Sequence, residues 1–348
     1  MVICSYVSHK NAVSKIRVEN PYQTLEEFDP RVFYYDIPGV PPAAGTLSST
    51  DVFVFRGPAK PGVLEFVRWA RAAYPKLKFV LDNDDLLWNG EIPEWNAHRN
   101  IPFDQKTTEA WMRSMDILTF STNYLRKYVV ENFGVDHRRT LVVPNAVKKS
   151  EWFRESAERP KVDGKPRVLY MGSPVHYSNE KKMLGDWTEG WVEWVFKAVE
   201  SDEIEFVCIG GVPWFFEPLV GKIRSYGWIP YSRLPGTIRE IHPHVCINPL
   251  KENKFNTAKS DLKLVECAAS GMVCVGTDFP GSPYSECKVK VGASASAEEI
   301  GEAVLGSLET KTFRKIVKSQ FDWIESEGRW LESEKHLDLL RKSVGLKT

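Results

Sequence analysis

The chain has 348 residues, with 46 Lys and Arg against 46 Asp and Glu, a formal net charge of +0, 43% hydrophobic and 26% charged residues. That length predicts two domains, each with its own core. The composition excludes a disordered or fibrous chain, and exact charge balance removes the broad basic field that non-specific binding to long nucleic acid requires.

Short β-branched and aromatic runs recur along the first half, at 1–7, 31–37, 51–57, 78–84, 117–122 and 140–145. Amphipathic stretches separate them. In 61–75, Leu64, Val67, Trp69 and Ala70 are read as sharing one helical face, and 123–134 ends on Gly134, a residue suited to a left-handed helix stop. Continuous apolar strands alternating with helices indicate a parallel sheet covered on both faces. The polar stretch 155–166, with its prolines and glycine, reads as a linker. A second series of strands follows at 167–172, 203–211, 244–250, 272–278 and 288–293, separated by helical segments such as 187–201 and 260–270. Only helical pattern remains after residue 310.

The expected fold class is therefore α/β: two Rossmann-like, doubly wound parallel-sheet domains facing a cleft. The first spans 1–160 on the acceptor side and the second 161–320 on the donor side. The C-terminal helix, 321–348, packs back on the first domain. In this architecture ligands bind at the carboxyl ends of the strands.

Six cysteines are scattered without a C-x-x-C pair or zinc-like spacing, which predicts reduced core residues. The apolar run at the N-terminus is too short for a signal-peptide core, and no stretch approaches a membrane span. A cytoplasmic protein with no transmembrane segment is expected.

The most informative stretch is INPLKENKFNTAKSDLKLVECAASGMVCVGTDFP, residues 247–280. It reads as a strand, a polar loop, and a helix starting near Ser260, with Lys259, Lys263 and Glu266 along one face. A helix N-terminus with adjacent lysines can hold a diphosphate, and a carboxylate one turn further in can accept hydrogen bonds from ribose hydroxyls. The structural alternative is a solvated Lys–Glu pair that only supports the helix. Elsewhere, Asp82, Asp84 and Asp85 close a first-domain strand, and Arg56 closes its neighbour. Such a cluster can orient or deprotonate an acceptor, cap a turn, or bind a divalent cation if enough oxygens converge. Pairing of Arg56 with the acidic cluster is expected. His9 and Lys10 are weaker candidates in the first strand's loop. Trp88 and Trp95 flank the acidic cluster and are candidates to contact an acceptor ring, whereas Trp187, Trp191 and Trp194 recur at near-helical spacing and read as packing.

The stretch PLKENKFNTAKSDLKLVECAASG resembles the donor-binding motif of retaining, nucleotide-sugar-dependent glycosyltransferases of the GT-B fold, in the broad glycosyltransferase family 4. GSPVHYSNEKKM (172–183) resembles a G-S-x-x-H loop of the same branch, and VVPNAV the V-x-P-N-G-V closing its first domain. DVFVFRG and FVLDNDDLLW resemble its first-domain strand ends, so the resemblance spans nearly the whole chain. It implies a hexosyl- or pentosyltransferase that moves a sugar from a nucleoside diphosphate donor to a hydroxyl, with no obligatory cofactor and no metal. Gly172, Ser173, Asn256, Lys259, Ser260, Lys263 and Glu266 would bind the donor. Asp84, Asp85 and His176 would be catalytic, and Arg56, Asp82 and Trp88 would face the acceptor. Three features depart from the pattern: Ala258 occupies the slot of a usual first glutamate, Asn145-Ala146 stands for Asn-Gly, and the first loop is not glycine-rich. The resemblance implies a glycan or lipid-linked glycan as acceptor. A hydroxymethylated DNA base, as in bacteriophage enzymes, is the alternative; Arg126, Lys127, Arg138 and Arg139 would line its groove. A catalytically silent nucleotide-sugar-binding subunit is a third reading, motivated by Ala258.

Overall fold

The computed structural model describes residues 1–7, 11–34, 44–57, 62–88, 90–100, 104–154 and 164–346. His9 and Lys10, the last residues of the run expected at 31–37, and linker residues 155–163 lie outside them.

Six parallel strands form the first sheet: β1 (Val2–Val7), β2 (Asp29–Tyr34), β3 (Val52–Arg56), β4 (Lys78–Asn83), β5 (Ile117–Phe120) and β6 (Thr140–Val142), in the order β2-β1-β3-β4-β5-β6. Six more form the second: β7 (Arg167–Met171), β8 (Glu205–Ile209), β9 (Arg224–Ser225), β10 (Val245–Asn248), β11 (Val273–Asp278) and β12 (Val289–Gly292), ordered β12-β11-β10-β7-β8-β9. Every apolar run expected as a strand is one, shorter by a residue or more at most ends. The two-residue edge strand β9 has no apolar run to announce it. Strands buried on both faces explain the uninterrupted Val-Phe-Ile sequences. In β3, Phe53 and Phe55 face one layer while Val52 and Val54 face the other.

Local signals mark the helices, although Trp69, read as sharing a face with Val67 and Ala70, is exposed. Val63–Ala73 buries Val63, Val67 and Ala70. Asn123–Phe133 is capped by the Thr122 hydroxyl and stopped by Gly134 at φ +57°. All six cysteines are buried and unbridged. Among the described residues no helix is long and apolar enough to cross a membrane.

Each sheet reverses its winding once, at β1/β3 in the first and β7/β10 in the second. Crevices at such switch points are where open α/β sheets take ligands. Two devices set the sheets against each other. The helix Thr310–Ser326 stays with the second sheet, where the Gln320 amide bonds Cys274 N and Met272 O. The chain then crosses through a bridge between Trp330 and Val147, and the helix Glu334–Ser343 buries Leu340 among Ile3, Val7, Val54 and Val80. Residues 321–326 thus belong to the second-sheet helix, and the segment that packs back on the first domain begins at Glu334. In the other direction, Phe255 and Ala258, from the loop after β10, bury completely in the first domain's aromatic core. Replacing Phe255 by Ala is expected to cost about 3–5 kcal/mol of folding stability. Urea denaturation followed by tryptophan fluorescence measures it, and an unchanged midpoint would show that this anchor carries no load.

Candidate functional site

The loop after β7 is built for close approach. A side chain on Gly172 would strike the Tyr170 hydroxyl, and one on Gly210, at φ +99°, would strike the Gly172 carbonyl. Backbone from two adjacent strand ends therefore packs together without side chains. Ser173 opens a short turn, Pro174–His176, that lies against the turn Ala97–Asn100 of the first domain. His176 thus sits where the two domains meet. Its Nδ1 is 2.8 Å from Asp186 Oδ2. Asp186 is buried, and its Oδ1 accepts from Asn256 Nδ2 at 2.6 Å and from the Lys251 amide at 3.5 Å. This carboxylate spans the β7/β10 switch point.

After β10 the chain forms a short helix, Lys254–Thr257, and then the helix Leu262–Ser270. The helix begins two residues later than the expected start at Ser260, because Ser260 and Asp261 have partners elsewhere. The Ser260 hydroxyl accepts from Asn145 Nδ2 at 2.7 Å, and Asp261 pairs with Arg329. Lys259 therefore lies in the link before the helix and not on one helical face with Lys263; its ammonium stands 4.7 Å over the Phe255 ring. Lys263 and Glu266 do pair, at 2.9 Å, with Glu266 fully buried and Lys263 partly exposed. A solvated face does not describe this pair, because Glu266 is buried and its Oε2 is held by Lys263. Burial pushes the Glu266 carboxyl up from its ordinary value while Lys263 pulls it down. Asn256 is also fully buried. Its amide nitrogen is committed to Asp186 and the Lys251 carbonyl, so its side chain positions the loop. Ala258, in the slot of the usual glutamate, is buried, and its carbonyl accepts from the Thr122 hydroxyl across the domain boundary.

On the first domain the acidic cluster divides. Asp82 is buried and paired with Arg17, Nη2 to Oδ1 at 2.5 Å and Nε to Oδ2 at 3.1 Å, with a further bond from the Thr119 hydroxyl. The expected acceptor-side role of Asp82 gives way to a structural one. Arg17, rather than Arg56, supplies the pairing expected for the cluster, from a stretch of π-helix, Lys15–Glu19, a form that recurs at functional sites. Trp88 likewise departs from expectation: it is buried against Phe133 in the core and is closed to an acceptor. Trp95 is half-buried beneath the Lys251 ammonium of the second domain. Asp84 and Asp85 remain half-exposed. Burial first, then the Asp85 charge, pushes the Asp84 carboxyl up to about 6, against the pull of Arg17 and Arg56. Arg56 is close enough to be felt there, while its Nε is buried without a hydrogen-bond partner.

Three residues that the sequence did not assign to the site complete the geometry. Asn145 joins the halves: its Oδ1 accepts from Arg17 at 2.9 Å, its Nδ2 donates to Ser260, and its carbonyl accepts from Arg329. Ala146 follows it without positive φ, so the glycine of the usual pattern is not required. His98 occupies the turn facing His176. Burial pushes its imidazole down, with Asp85 opposing and Lys259 and Arg56 acting the same way as burial. Asp186 is the third. Neither His98 nor Asp186 has a motif around it; only the fold brings them to the cleft. Ion pairs from Lys254 to Glu91 and from Lys181 to Glu94 span the domains beside this cleft. An open depression of about 540 Å3, lined in part by Leu184, Thr188, Lys251 and Ser294, adjoins it. Among the described residues no group of three or more His, Cys, Asp and Glu side chains is set to hold a metal ion.

Solved structures match this architecture along its whole length. A glycosyltransferase from Rickettsia africae superposes with TM-score 0.63 at 10% identity, covering 99% of both chains. Anabaena HepE, in a complex with UDP-glucose, gives TM-score 0.67 at 10% identity, covering 99% of this chain and 100% of the other. A trehalose 6-phosphate synthase from Burkholderia multivorans gives 0.54 at 11% identity over 99% and 96%. The fold is GT-B. No family model matches the sequence, and no curated protein matches it. At such identities the GT-B likeness establishes architecture; chemistry has to come from the cleft.

The raised Asp84 value fixes the sign of a pH effect. Its ionisation in the fold is hindered, so it costs no stability below the ordinary carboxyl range. The cost grows with rising pH and is complete above about 6. Asp84→Asn is therefore expected to raise the denaturation midpoint at pH 7 more than at pH 4. Equal effects at both would show that Asp84 is not held in a hindered environment.

Proposed function

We propose that this chain is a GT-B glycosyltransferase that moves a sugar from a nucleoside diphosphate sugar to a hydroxyl acceptor, with retention and without an obligatory metal. The observation that carries the reading is that Asp186 ties the β7 loop to the loop after β10, which leads into Lys259 and the Lys263–Glu266 pair, at the switch point of the second sheet. GT-B neighbours that bind UDP-glucose support the donor class. The main-chain N–H of Ser173 approaches the diphosphate, while that of Gly172 donates to the Ile209 carbonyl at 3.0 Å and holds the loop in place. Lys259, Lys263 and the helix N-terminus stabilise the charge that develops on it as the glycosidic bond breaks. Glu266, oriented by Lys263, accepts from the ribose. Asp84 and Asp85 stand on the opposite wall, where they orient the acceptor; retention requires the hydroxyl to attack from the face that the diphosphate leaves and to give its proton to the departing phosphate oxygen.

The glycan-type acceptor is favoured over a DNA base by where the cations are spent. Arg126 bonds the Thr140 hydroxyl, Lys127 pairs with Glu131, Arg138 with Asp136, and Arg139 bonds the carbonyls of Arg113 and Met115. A duplex groove needs cations free to meet phosphates.

Hydrolysis and transfer assays with a panel of nucleotide sugars test the reading. Turnover is expected with at least one donor, and Lys263→Gln and Glu266→Gln are expected to lose about a hundredfold or more in turnover. Binding without turnover by any donor would favour the silent subunit. Full activity in both variants would overturn the site assignment. Salt-sensitive binding to hydroxymethylated duplex DNA would move the acceptor to nucleic acid.

A further inference from the structure

The Asp186 carboxylate faces three nitrogens. Its Oδ1 takes two of them, from Asn256 and from the Lys251 main chain, and its Oδ2 faces His176 Nδ1. A carboxylate only accepts, so the imidazole must present its proton on Nδ1 to make this bond. The neutral ring then carries its lone pair on Nε2. Asp186 cannot turn away from the task, because it is buried and its main chain is pinned by a 2.8 Å bond from its amide to the His176 carbonyl. The chain comes this close because Gly185, at φ +67°, has no side chain to strike that carbonyl. The imidazole itself is partly exposed, on the turn that meets Ala97–Asn100 across the cleft.

We infer that Asp186 is a positioning residue that fixes the His176 tautomer, so that Nε2 accepts a hydrogen bond from a hydroxyl of the bound sugar. The inference rests on the cleft taking a nucleotide sugar, as proposed above. It deepens that reading by giving the sugar a recognition group on the β7 loop, mechanically tied through Asn256 to the loop after β10. It also explains why Asn256, a donor-binding candidate, is buried: it holds Oδ1 of the carboxylate whose other oxygen orients the histidine.

Asp186→Asn is a sharp probe because the geometry dictates which way the amide must lie. Two N–H groups point at the Oδ1 position, so the amide oxygen stays there and its NH2 turns toward His176. The ring must then accept at Nδ1 and carry its proton on Nε2, the inverse of the wild-type arrangement. Nitrogen-15 spectra of histidine-labelled protein, assigned with His176→Gln, read the tautomer directly and without turnover. The expected result is an Nδ1-protonated neutral ring in the wild type and an Nε2-protonated ring in Asp186→Asn. With the tautomer inverted, turnover of the best donor is expected to fall about tenfold or more while UDP affinity stays within about threefold. An Nε2-protonated ring in the wild type would overturn the inference even if the variant failed to fold. So would an unchanged tautomer in a folded Asp186→Asn, or an inverted tautomer with unchanged turnover. Wild-type protein that turns over no donor would overturn the functional reading and with it the sugar contact. The tautomer measured on unliganded protein would still report whether Asp186 sets the ring.

Discussion

A buried amide must bond every polar atom it carries or pay for the loss, and Asn145 meets that constraint only by recruiting groups from both halves of the chain. Arg17 from the first domain, Ser260 from the donor loop and Arg329 from the return crossing all converge on it. Two of these have a further commitment: Arg17 to Asp82, and Arg329 to Asp261 at the head of the helix Leu262–Ser270. Removing one partner of such a buried ionic network leaves the others unpaired, which makes the arrangement specific as well as stable. The mutual placement of the two sheets, and hence the width of the cleft, follows from this junction together with the anchoring of Phe255.

With the sheets so placed, the cleft acquires walls of unlike chemistry. The second domain offers glycine-lined backbone, cationic side chains and a histidine braced by a carboxylate. The first offers two half-exposed carboxyls and a second histidine. The proposed function assigns the leaving diphosphate to the former wall and the acceptor hydroxyl to the latter. Three side chains that the resemblance assigned to the acceptor or the donor are committed to holding this arrangement: Asp82 to Arg17, Asn256 to Asp186, Ser260 to Asn145.

Much of the architecture was legible in the sequence because a strand buried on both faces leaves a continuous apolar run, and Gly134 and the Thr122 cap leave local chemical marks. The strand, loop and helix of 247–280 were legible through their long motif. What stayed hidden depends on partners far apart in sequence. Trp88 next to an acidic cluster reads as exposed until the chain turns it against Phe133. Asp186 lies ten residues after His176, a spacing with no helical or strand meaning, and only the tight turn at Gly185 brings the two together. Arg17 sits in an undistinguished segment, and its ion pair with Asp82 appears only when the first helix folds over the strand ends. Ala146 shows the converse: a departure from pattern that carries no structural consequence, since its backbone does not need glycine.

A crystal structure with a nucleoside diphosphate bound tests the central claim most directly, namely that the donor lies at the second sheet's switch point. The account predicts the diphosphate between the Gly172–Ser173 backbone and Lys259 and Lys263, with the ribose at Glu266. A nucleotide bound on the first domain's wall, or a cleft left empty at saturating ligand, would contradict it.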